Sequence, residues 1–367
     1  MRAIGWLAAG VALLLPLSGA SVAQQPEAPR WVPTWHAVPN EPGWTPNQTV
    51  RTLVKITAGG SSVRVRLSNA LNPRPLRVDH VTVALGNGGA NGQNGSMREV
   101  RFRGAGATTI RARGAAYSDP IPLNVADHEL LLVSTFVRSS TPCHARAHRT
   151  NYAAPAGDHT TDLAGAAFTA THTSVCLVGG VDVAGTEAPG TVVALGDSIT
   201  EGDSTNWPGY LRTSSAVLNS GISGNCVVLH GDAMVTRLYR DALFSAQVRT
   251  VVFLGGINDI QQDVRAEAII AAIRTIRART QLAGVRLVIG TITPWRGWQA
   301  FNDKREAQRQ LVNEFIRTAG IFDGVVDFDE LLRDPADLLR LRPEFDSGDH
   351  LHPNDAAYRV MAGAVPV

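Results

Sequence analysis

The chain has 367 residues, which is more than one ordinary domain needs and suits two. Hydrophobic residues make up 44% of it and charged residues 18%, a composition that excludes intrinsic disorder and provides for folded cores. The formal net charge is +2 and no basic block or stripe occurs, so nucleic acid is not an expected partner.

The N-terminus has the pattern of a signal peptide over residues 1–23. Arg2 precedes an apolar run over residues 4–17, and Ser-Val-Ala at residues 21–23 offers a cleavage site of small residues. The run is too short to span a bilayer comfortably, although an uncleaved anchor is the alternative. We therefore predict a secreted or periplasmic protein without stable membrane insertion, in which residues 24–30 form a polar leader.

Residues 31–176 carry strand signals and almost no helical periodicity. Residues 62–67 alternate polar and apolar side chains, which is typical of a half-buried strand. Further strands are predicted at residues 81–85, 99–102, 109–112 and 130–136, with stretches rich in Gly, Asn and Pro between them. Many short strands of this kind indicate a jelly-roll-like β-sandwich, an accessory domain over residues 31–176.

The sequence contains three cysteines, which cannot all pair within one monomer. Export permits disulfides, and Cys143 and Cys176 are the expected pair because both fall in the first domain. Cys226 is expected to remain a buried thiol. No Cys/His spacing resembles a zinc site.

Residues 177–190 are rich in Gly and Ala and are predicted to be a linker. Residues 191–367 then alternate strand and helix patterns. Buried strands are predicted at residues 191–195, 250–254, 285–292 and 325–328, and helices at residues 264–282, 305–319 and 354–364. This alternation predicts a parallel sheet covered by helices on both faces, with a site beyond the carboxyl ends of its strands.

Two glycine-containing motifs follow predicted strands. Gly-Asp-Ser-Ile-Thr at residues 196–200 can present the hydroxyl of Ser198 at the rim of the sheet, at the start of a helix. Asn-Ser-Gly-Ile-Ser-Gly-Asn at residues 219–225 allows backbone N–H groups to point at an oxyanion. Taken alone, each motif also fits a capped turn or a plain Gly-rich loop.

A third motif, Gly-Gly-Ile-Asn-Asp at residues 255–259, follows the strand that ends at Leu254. The side-chain amide of Asn258 can donate to a developing oxyanion. Asn is also a common cap or turn residue, which is the alternative interpretation.

The fourth motif is Asp-His-Leu-His-Pro at residues 349–353. Asp349 and His352 are three residues apart and face each other across one turn. A carboxylate on one ring nitrogen leaves the other nitrogen to take a proton from a serine. Asp346 is a rival carboxylate at a less favourable spacing from His352, and His350 is expected to point away into solvent.

Together the four motifs supply what acyl transfer requires. Ser198 is the candidate nucleophile, His352 the base and Asp349 the group that orients the base. Glycine N–H groups and Asn258 are the candidate oxyanion donors. The arrangement needs no metal and no cofactor.

On these motifs the second half resembles the SGNH hydrolases, also called the GDSL lipase/acylhydrolase family. The likeness covers residues 191–364 or so. The first half is similar to the β-rich region that precedes the catalytic domain in one bacterial branch of the family. That likeness rests on residues 31–35 and 151–160.

The resemblance implies a flavodoxin-like α/β/α catalytic domain over residues 191–367 and ester hydrolysis by Ser198, Asp349 and His352. It implies an oxyanion hole made by the N–H groups of Ser198 and Gly224 and by Asn258. Gly221 is a lesser candidate for the role of Gly224. The expected function is that of a secreted serine esterase that acts through an acyl-enzyme intermediate.

The family hydrolyses several kinds of ester, so the resemblance leaves the substrate open. Three tryptophans in loops near the strand ends are candidates to stack on a sugar or line an acyl pocket, and packing is the equal alternative: Trp207, Trp295 and Trp298. Export together with a β-sandwich favours glycan esters and carbohydrate deacetylation. A lysophospholipase or short-chain lipase is the alternative enzyme.

The competing class is a non-catalytic carbohydrate-binding protein. The first domain offers tryptophans for a sugar platform, which packing explains equally well: Trp31, Trp35 and Trp44. The histidines of this domain that invite a catalytic interpretation are His144, His148 and His159, and surface positions are expected for them. We therefore expect the first domain to tune substrate choice without contributing to the chemistry.

Overall fold

A computed structural model describes residues 29–40, 43–45 and 47–367. The predicted signal peptide and most of the predicted leader lie outside these residues. The side chains of Trp44, His144 and His148 also lie outside what the structure describes. In the described part of the chain, no helix is both long and apolar enough to cross a membrane.

The first half of the described chain is built from strands. In chain order they are β1 Val32–His36, β2 Gly43–Thr45, β3 Thr49–Lys55, β4 Gly60–Ser68, β5 Leu76–Val78, β6 His80–Leu85, β7 Arg98–Glu99, β8 Thr108–Ile110, β9 Ala115–Tyr117, β10 Ile121–Val125, β11 Leu130–Phe136, β12 Thr141–Ala153, β13 Ala170–Cys176 and β14 Val178–Ala184. The strand predicted at residues 130–136 is confirmed as β11, and the one at residues 62–67 lies within β4.

These strands form two antiparallel sheets, apart from the separate β5–β8 pair. One sheet has the order β1-β14-β4-β10, with β9 also paired to β4, and the other has the order β13-β12-β3-β11-β6-β7, with β2 paired to β12. Apolar residues from both sheets share one core, because alternate side chains of a strand point to the same face. In β4, for example, Val63, Val65 and Leu67 are fully buried in that core.

The cysteines behave as the sequence predicted. Cys143 of β12 and Cys176 of β13 face each other across the ladder and are disulfide-bonded. Cys226 is a buried free thiol. The disulfide therefore ties the two strands together at the edge of the larger sheet.

The linker predicted at residues 177–190 is wrong for half of its length. Val178–Ala184 form β14, which pairs with β1 on one side and β4 on the other. All seven residues of this strand are buried. The small residues that suggested a flexible connector, among them Gly179 and Gly180, instead allow close packing, since a Cβ on Gly179 would lie 2.8 Å from the side chain of Ser68.

The second half alternates strands and helices. Its elements are β15 Thr191–Gly196, α1 Ser198–Glu201, β16 Ala216–Gly221, α2 Met234–Asp241, β17 Val248–Leu254, α3 Ile257–Gln261, α4 Ala266–Leu282, β18 Arg286–Gly290, α5 Asp303–Thr318, β19 Gly324–Val326, α6 Phe328–Leu332, β20 Arg333–Asp334, β21 Asp337–Leu341 and α7 Asp355–Ala364. The three predicted helices correspond to α4, α5 and α7.

Five strands form a parallel sheet in the order β16-β15-β17-β18-β19. In sequence order this is 2-1-3-4-5, the order of flavodoxin-like sheets. Most residues of these strands are apolar and buried, and α4 contributes Ile269, Ile273 and Ile276 to the same core. Because the strands are parallel, their carboxyl ends all lie along the same edge of the sheet.

Candidate active site

The register of the sheet places the ends of three strands side by side. Gly196 of β15 pairs with Gly221 of β16 and with Leu254 of β17. Glycine is required at 196, because a Cβ there would lie 2.6 Å from the carbonyl oxygen of Leu254. Ser198 follows the first of these ends by two residues, and Asn258 follows Leu254 by four.

Ser198 is the first residue of α1. Asp197 caps this helix, and its Oδ1 accepts the N–H of Ile199 at 3.0 Å. The N–H of Ser198 is among the first N–H groups of the helix, which have no acceptor within it. The hydroxyl and the N–H of one residue are therefore both presented at the edge of the sheet.

The side chains of Ser198, His352 and Asp349 form one hydrogen-bonded series. Ser198 Oγ lies 2.9 Å from Nε2 of His352. Nδ1 of His352 lies 2.6 Å from Oδ2 of Asp349. The other carboxylate oxygen accepts the N–H groups of Leu351 at 2.9 Å and His352 at 2.8 Å, so ring and carboxylate are held together just before α7.

The protonation of Asp349 determines the tautomer of His352. Burial opposes ionisation, but hydrogen bonds from the ring and backbone of His352 and from Leu351 lower the pKa of Asp349 to about 2. An ionised carboxylate only accepts, so Nδ1 of His352 carries the proton. In the neutral ring Nε2 is then free to accept the hydroxyl of Ser198, as a general base requires.

The rival carboxylate pairs with the other histidine. Asp346 Oδ2 lies 2.6 Å from Nδ1 of His350, and Oδ1 of Asp346 accepts the N–H of His350 at 2.9 Å. The side chain of His350 is 45% exposed, so it lies in solvent as expected, and its ring is also hydrogen-bonded to Asp346. The two Asp–His pairs of this loop are thus separate.

The candidate oxyanion donors lie on the two neighbouring loops. Gly224 has a φ of 73°, and a Cβ built on it would meet nothing within 4 Å, so its backbone faces open space. Asn258 lies in the first turn of α3, and its Nδ2 donates to the carbonyl oxygen of Asn225 at 3.2 Å. An amide nitrogen has two N–H groups, so one remains for a ligand. Gly221 is the poorer donor, because its N–H already donates to Asn219 Oδ1 at 2.9 Å.

Several positioning residues were missed by the sequence analysis. Asp259 is fully buried and accepts the N–H groups of Val227 at 2.6 Å and Val228 at 2.9 Å, which fixes the loop after Gly224. Its place directly after Asn258 in the third motif was the available signal. Arg237 of α2 carried no such signal, yet it donates to Asn225 Oδ1 and to the carbonyl oxygen of Gly196, both at 2.9 Å.

Asp197 is a buried carboxyl group next to Ser198, the candidate nucleophile. Its Oδ2 has no hydrogen-bond partner among the described residues. Burial raises its pKa to about 7, and Asp259 adds to the rise, while the N–H of Ile199 and the charge of His352 oppose it. In the described part of the chain, no group of three or more His, Cys, Asp and Glu side chains is arranged to hold a metal ion.

For two of the three tryptophans predicted to bind substrate, that prediction is wrong and the packing alternative holds. Trp207 and Trp295 are both 0% exposed and belong to the core of the second half, so they cannot meet a substrate. Trp298 is partly exposed, and its ring stands edge-on to that of His352, with 6.2 Å between the centroids. Its Nε1 donates to Gln261 at 2.7 Å, which holds the indole beside the histidine.

Comparison with models of known protein families gives a match in the second half of the chain. Residues 194–360 match the model of the GDSL-like Lipase/Acylhydrolase family. No curated protein sequence matches the chain. Residues 194–360 are thus similar to GDSL-like lipase/acylhydrolase domains, and the match covers the second half of the chain alone.

Several solved structures are similar to the same half. A putative lipolytic protein of the G-D-S-L family from Desulfitobacterium hafniense is 22% identical, with a TM-score of 0.40, and the match covers 47% of this chain and 96% of that one. A GDSL-like lipase from Bacteroides thetaiotaomicron is 19% identical, with a TM-score of 0.41 over 48% of this chain and 85% of that one. A lipase/acylhydrolase from Enterococcus faecalis is 18% identical, with a TM-score of 0.39 over 47% and 92% of the two chains.

Proposed function

We propose that this chain is a serine esterase that hydrolyses carboxylic esters through an acyl-enzyme intermediate. The observation that carries the proposal is the series from Ser198 Oγ to His352 Nε2 at 2.9 Å and from His352 Nδ1 to Asp349 at 2.6 Å. A serine hydroxyl is a weak nucleophile until an adjacent base takes its proton. His352 is in reach to do so, and Asp349 stabilises the imidazolium that forms.

In the first half-reaction, Ser198 Oγ attacks the carbonyl carbon of the ester while Nε2 of His352 takes the hydroxyl proton. The carbonyl oxygen becomes an oxyanion, for which the N–H groups of Ser198 and Gly224 and the amide of Asn258 are the proposed donors. The bond to the alcohol then breaks, and the alcohol leaves with the proton from His352. The acyl group remains on Ser198 as an ester.

In the second half-reaction, water replaces the alcohol. His352 takes a proton from the water as the water oxygen attacks the acyl carbon, and the same donors stabilise the second oxyanion. The bond from the acyl carbon to Ser198 Oγ breaks, and His352 returns the proton to the serine. The carboxylic acid is released, and the enzyme is restored without metal or cofactor.

For the substrate, we propose an acylated carbohydrate met outside the cytoplasm. The signal-peptide pattern of residues 1–23 supports export to the periplasm or the medium. The proposed role of the first half, as a jelly-roll-like accessory domain, is to favour large glycan esters. A panel of acetylated xylan, short-chain acyl esters and lysophospholipid distinguishes this from lipase-type activity, since each class predicts a different preferred member.

The test is hydrolysis of p-nitrophenyl acetate by the full chain and by Ser198→Ala. Ser204→Ala is the matched control, because Ser204 is exposed on the loop just after α1. We expect Ser198→Ala to lose turnover by about 10⁴-fold and the control to keep it. A fluorophosphonate should label Ser198 alone. A full chain that binds glycans but hydrolyses none of these esters would instead indicate a non-catalytic carbohydrate-binding protein.

A further inference from the structure

The first half of the chain packs directly on an edge of the catalytic sheet. β16 is the edge strand of the parallel sheet, and an edge strand has backbone groups without a ladder partner. Thr57, from the first half, accepts the N–H of Val217 at 2.9 Å through Oγ1, which also lies 3.1 Å from the carbonyl oxygen of Val217. Ala216 of β16 belongs to the core of the first half. The two halves thus share this strand.

His36 extends this contact to the end of β16. Its Nε2 lies 3.1 Å from the carbonyl oxygen of Asn219 and 2.9 Å from Oγ of Ser220. The hydroxyl of Ser220 donates its proton to the carbonyl oxygen of Asp241 at 2.8 Å, so towards His36 it accepts. A carbonyl oxygen also only accepts. Nε2 of His36 therefore carries a proton and donates to both groups.

The ring of His36 is held neutral and fixed. Burial is the main cause that lowers its pKa to about 4, and the charges of Arg66 and Arg237 add to it. The charge of Asp241 and the bond to Asn219 oppose that change. The ring also stacks on Phe244, with 5.8 Å between the centroids. Near neutral pH the donor at Nε2 is thus permanent.

The residues that His36 contacts join α1, which begins with Ser198, to the loop of residues 222–225. This loop contains Gly224 and is called the oxyanion loop below. The amide of Asn219 donates to the carbonyl oxygens of Thr200 at 2.8 Å and Glu201 at 3.1 Å, in the turn that begins with Ser198. Glu201 in turn accepts the N–H of Ser223 at 2.8 Å and also bonds its hydroxyl. Ser223 directly precedes Gly224. A shift of the end of β16 would therefore move both Ser198 and Gly224.

We propose that His36 is a positioning residue of the hydrolase reaction, through which the first half of the chain holds the end of β16 and so the oxyanion loop. The inference rests on the proposed function. It differs from the expectation that the first domain takes no part in the chemistry. His36 touches no reacting atom, and its effect is on the placement of Ser198 relative to Gly224.

The test compares kcat and KM for p-nitrophenyl acetate in the full chain and its variants. His36→Ala should lower kcat by about 10- to 100-fold with KM unchanged, because small misplacements act on the transition state and the ester itself makes no contact with His36. His36→Gln should recover most of the lost rate, since its side-chain N–H can reach the same acceptors. His172→Ala is the matched control and should keep the parent kcat, because His172 lies on β13 in the larger sheet of the first half and its side chain contacts Gln48.

Each outcome decides the inference. Parent-like kinetics in His36→Ala, a rise in KM alone, or a His36→Gln variant as slow as His36→Ala would each overturn it. Where His36→Ala gives little folded protein, Ser220→Ala removes the shorter of the two contacts that Nε2 of His36 makes with β16. A parent-like kcat there would also overturn the inference. Ser198→Ala separates the two proposals. If that variant stays active the esterase assignment fails, whereas a dead Ser198→Ala with a normal His36→Ala rejects only the role of His36.

Discussion

Aspartate–histidine pairs occur in both halves of the molecule, but their use of the two ring nitrogens differs. In the first half, Nδ1 of His80 meets both Asp158 at 2.9 Å and the hydroxyl of Thr160 at 2.6 Å. In the second half, Asp349 and Ser198 meet different nitrogens of His352. Only the second arrangement can move a proton from the hydroxyl to a base that the carboxylate supports.

An acid, a histidine and a hydroxyl in contact are therefore not enough for a catalytic series. His159 with Asp162 and His350 with Asp346 are further pairs of this kind, each bonded through Nδ1. What distinguishes His352 is the serine on Nε2, at the common edge of three parallel strands.

Removal of the His352 imidazole should cause the greatest loss of activity. His352→Ala should lower kcat/KM for p-nitrophenyl acetate by about 10⁴-fold, because among the described residues His352 is the only base that contacts the hydroxyl of Ser198. His80→Ala is the matched variant from the first half and should remain within about twofold of the parent. Asp349→Asn should cost less than His352→Ala if Asp349 mainly orients the ring. Comparable losses in His352→Ala and His80→Ala would erase the distinction between the two halves.

The same contrast explains which site residues the sequence could predict. Ser198, Asn258 and the Asp349–His352 pair lie in short segments that directly follow a strand or precede a helix, so local spacing was enough to find them. The disulfide was predictable because only two cysteines fall in the first domain. The strand β14 was missed, since its glycines look like a linker until their neighbours across the ladder are known.

Residues whose role depends on distant partners could not be predicted. His36 contacts the strand end at Asn219 and Ser220, more than 180 positions later in the sequence. Arg237 lies on α2, a short amphipathic helix that the sequence analysis did not predict, and its partners Gly196 and Asn225 lie on other elements. Trp207 and Trp295 were placed near the strand ends correctly along the chain, but sequence does not tell which way an indole points, and both point into the core.

A second prediction compares two asparagines. Asn258→Ala should lower kcat by about 10²- to 10³-fold with little change in KM, because the amide bond strengthens only as the oxyanion forms. Asn151, in the first half, is buried and bonds the backbone of Leu53 and Ser174. Asn151→Ala should leave the kcat of folded protein unchanged but lower the free energy of unfolding by about 1–3 kcal/mol. A pure KM effect at Asn258 would assign it to substrate binding instead.

A third prediction concerns two buried groups that titrate in opposite senses. His36, with a pKa lowered from 6.5 to about 4, takes up a proton more readily when unfolded, so its contribution to stability falls as pH drops from 6.5 towards 4. Asp197, with a pKa raised from 3.8 to about 7, keeps its proton only when folded, so stability falls as pH rises from 4 towards 7. Each effect should be about 2–4 kcal/mol.

Urea unfolding at pH 4.5, 6 and 8 separates the two groups. Asp197→Asn keeps an acceptor for the N–H of Ile199 and should be more stable than the parent at pH 8, by an amount that shrinks towards pH 4.5. His36→Gln should gain stability relative to the parent as the pH is lowered over the same range. A constant difference from the parent at all three pH values would contradict the titration of the group concerned.

The smallest expected effect distinguishes two tryptophans at the surface. Trp298 stands edge-on to His352, and such an aromatic contact contributes about 0.5–1.5 kcal/mol, equivalent to about 3- to 10-fold in rate. Trp298→Ala should lower kcat/KM by that factor. Trp298→Phe should keep most of the parent kcat/KM, because an aromatic ring still contacts His352. Trp31, which stacks with Arg64 in the first half, is the matched position, and Trp31→Ala should keep the parent rate on the small ester. If Trp298→Ala slows acetyl, butyryl and octanoyl esters equally, the indole acts through His352. A loss that grows with chain length would place it in the acyl pocket.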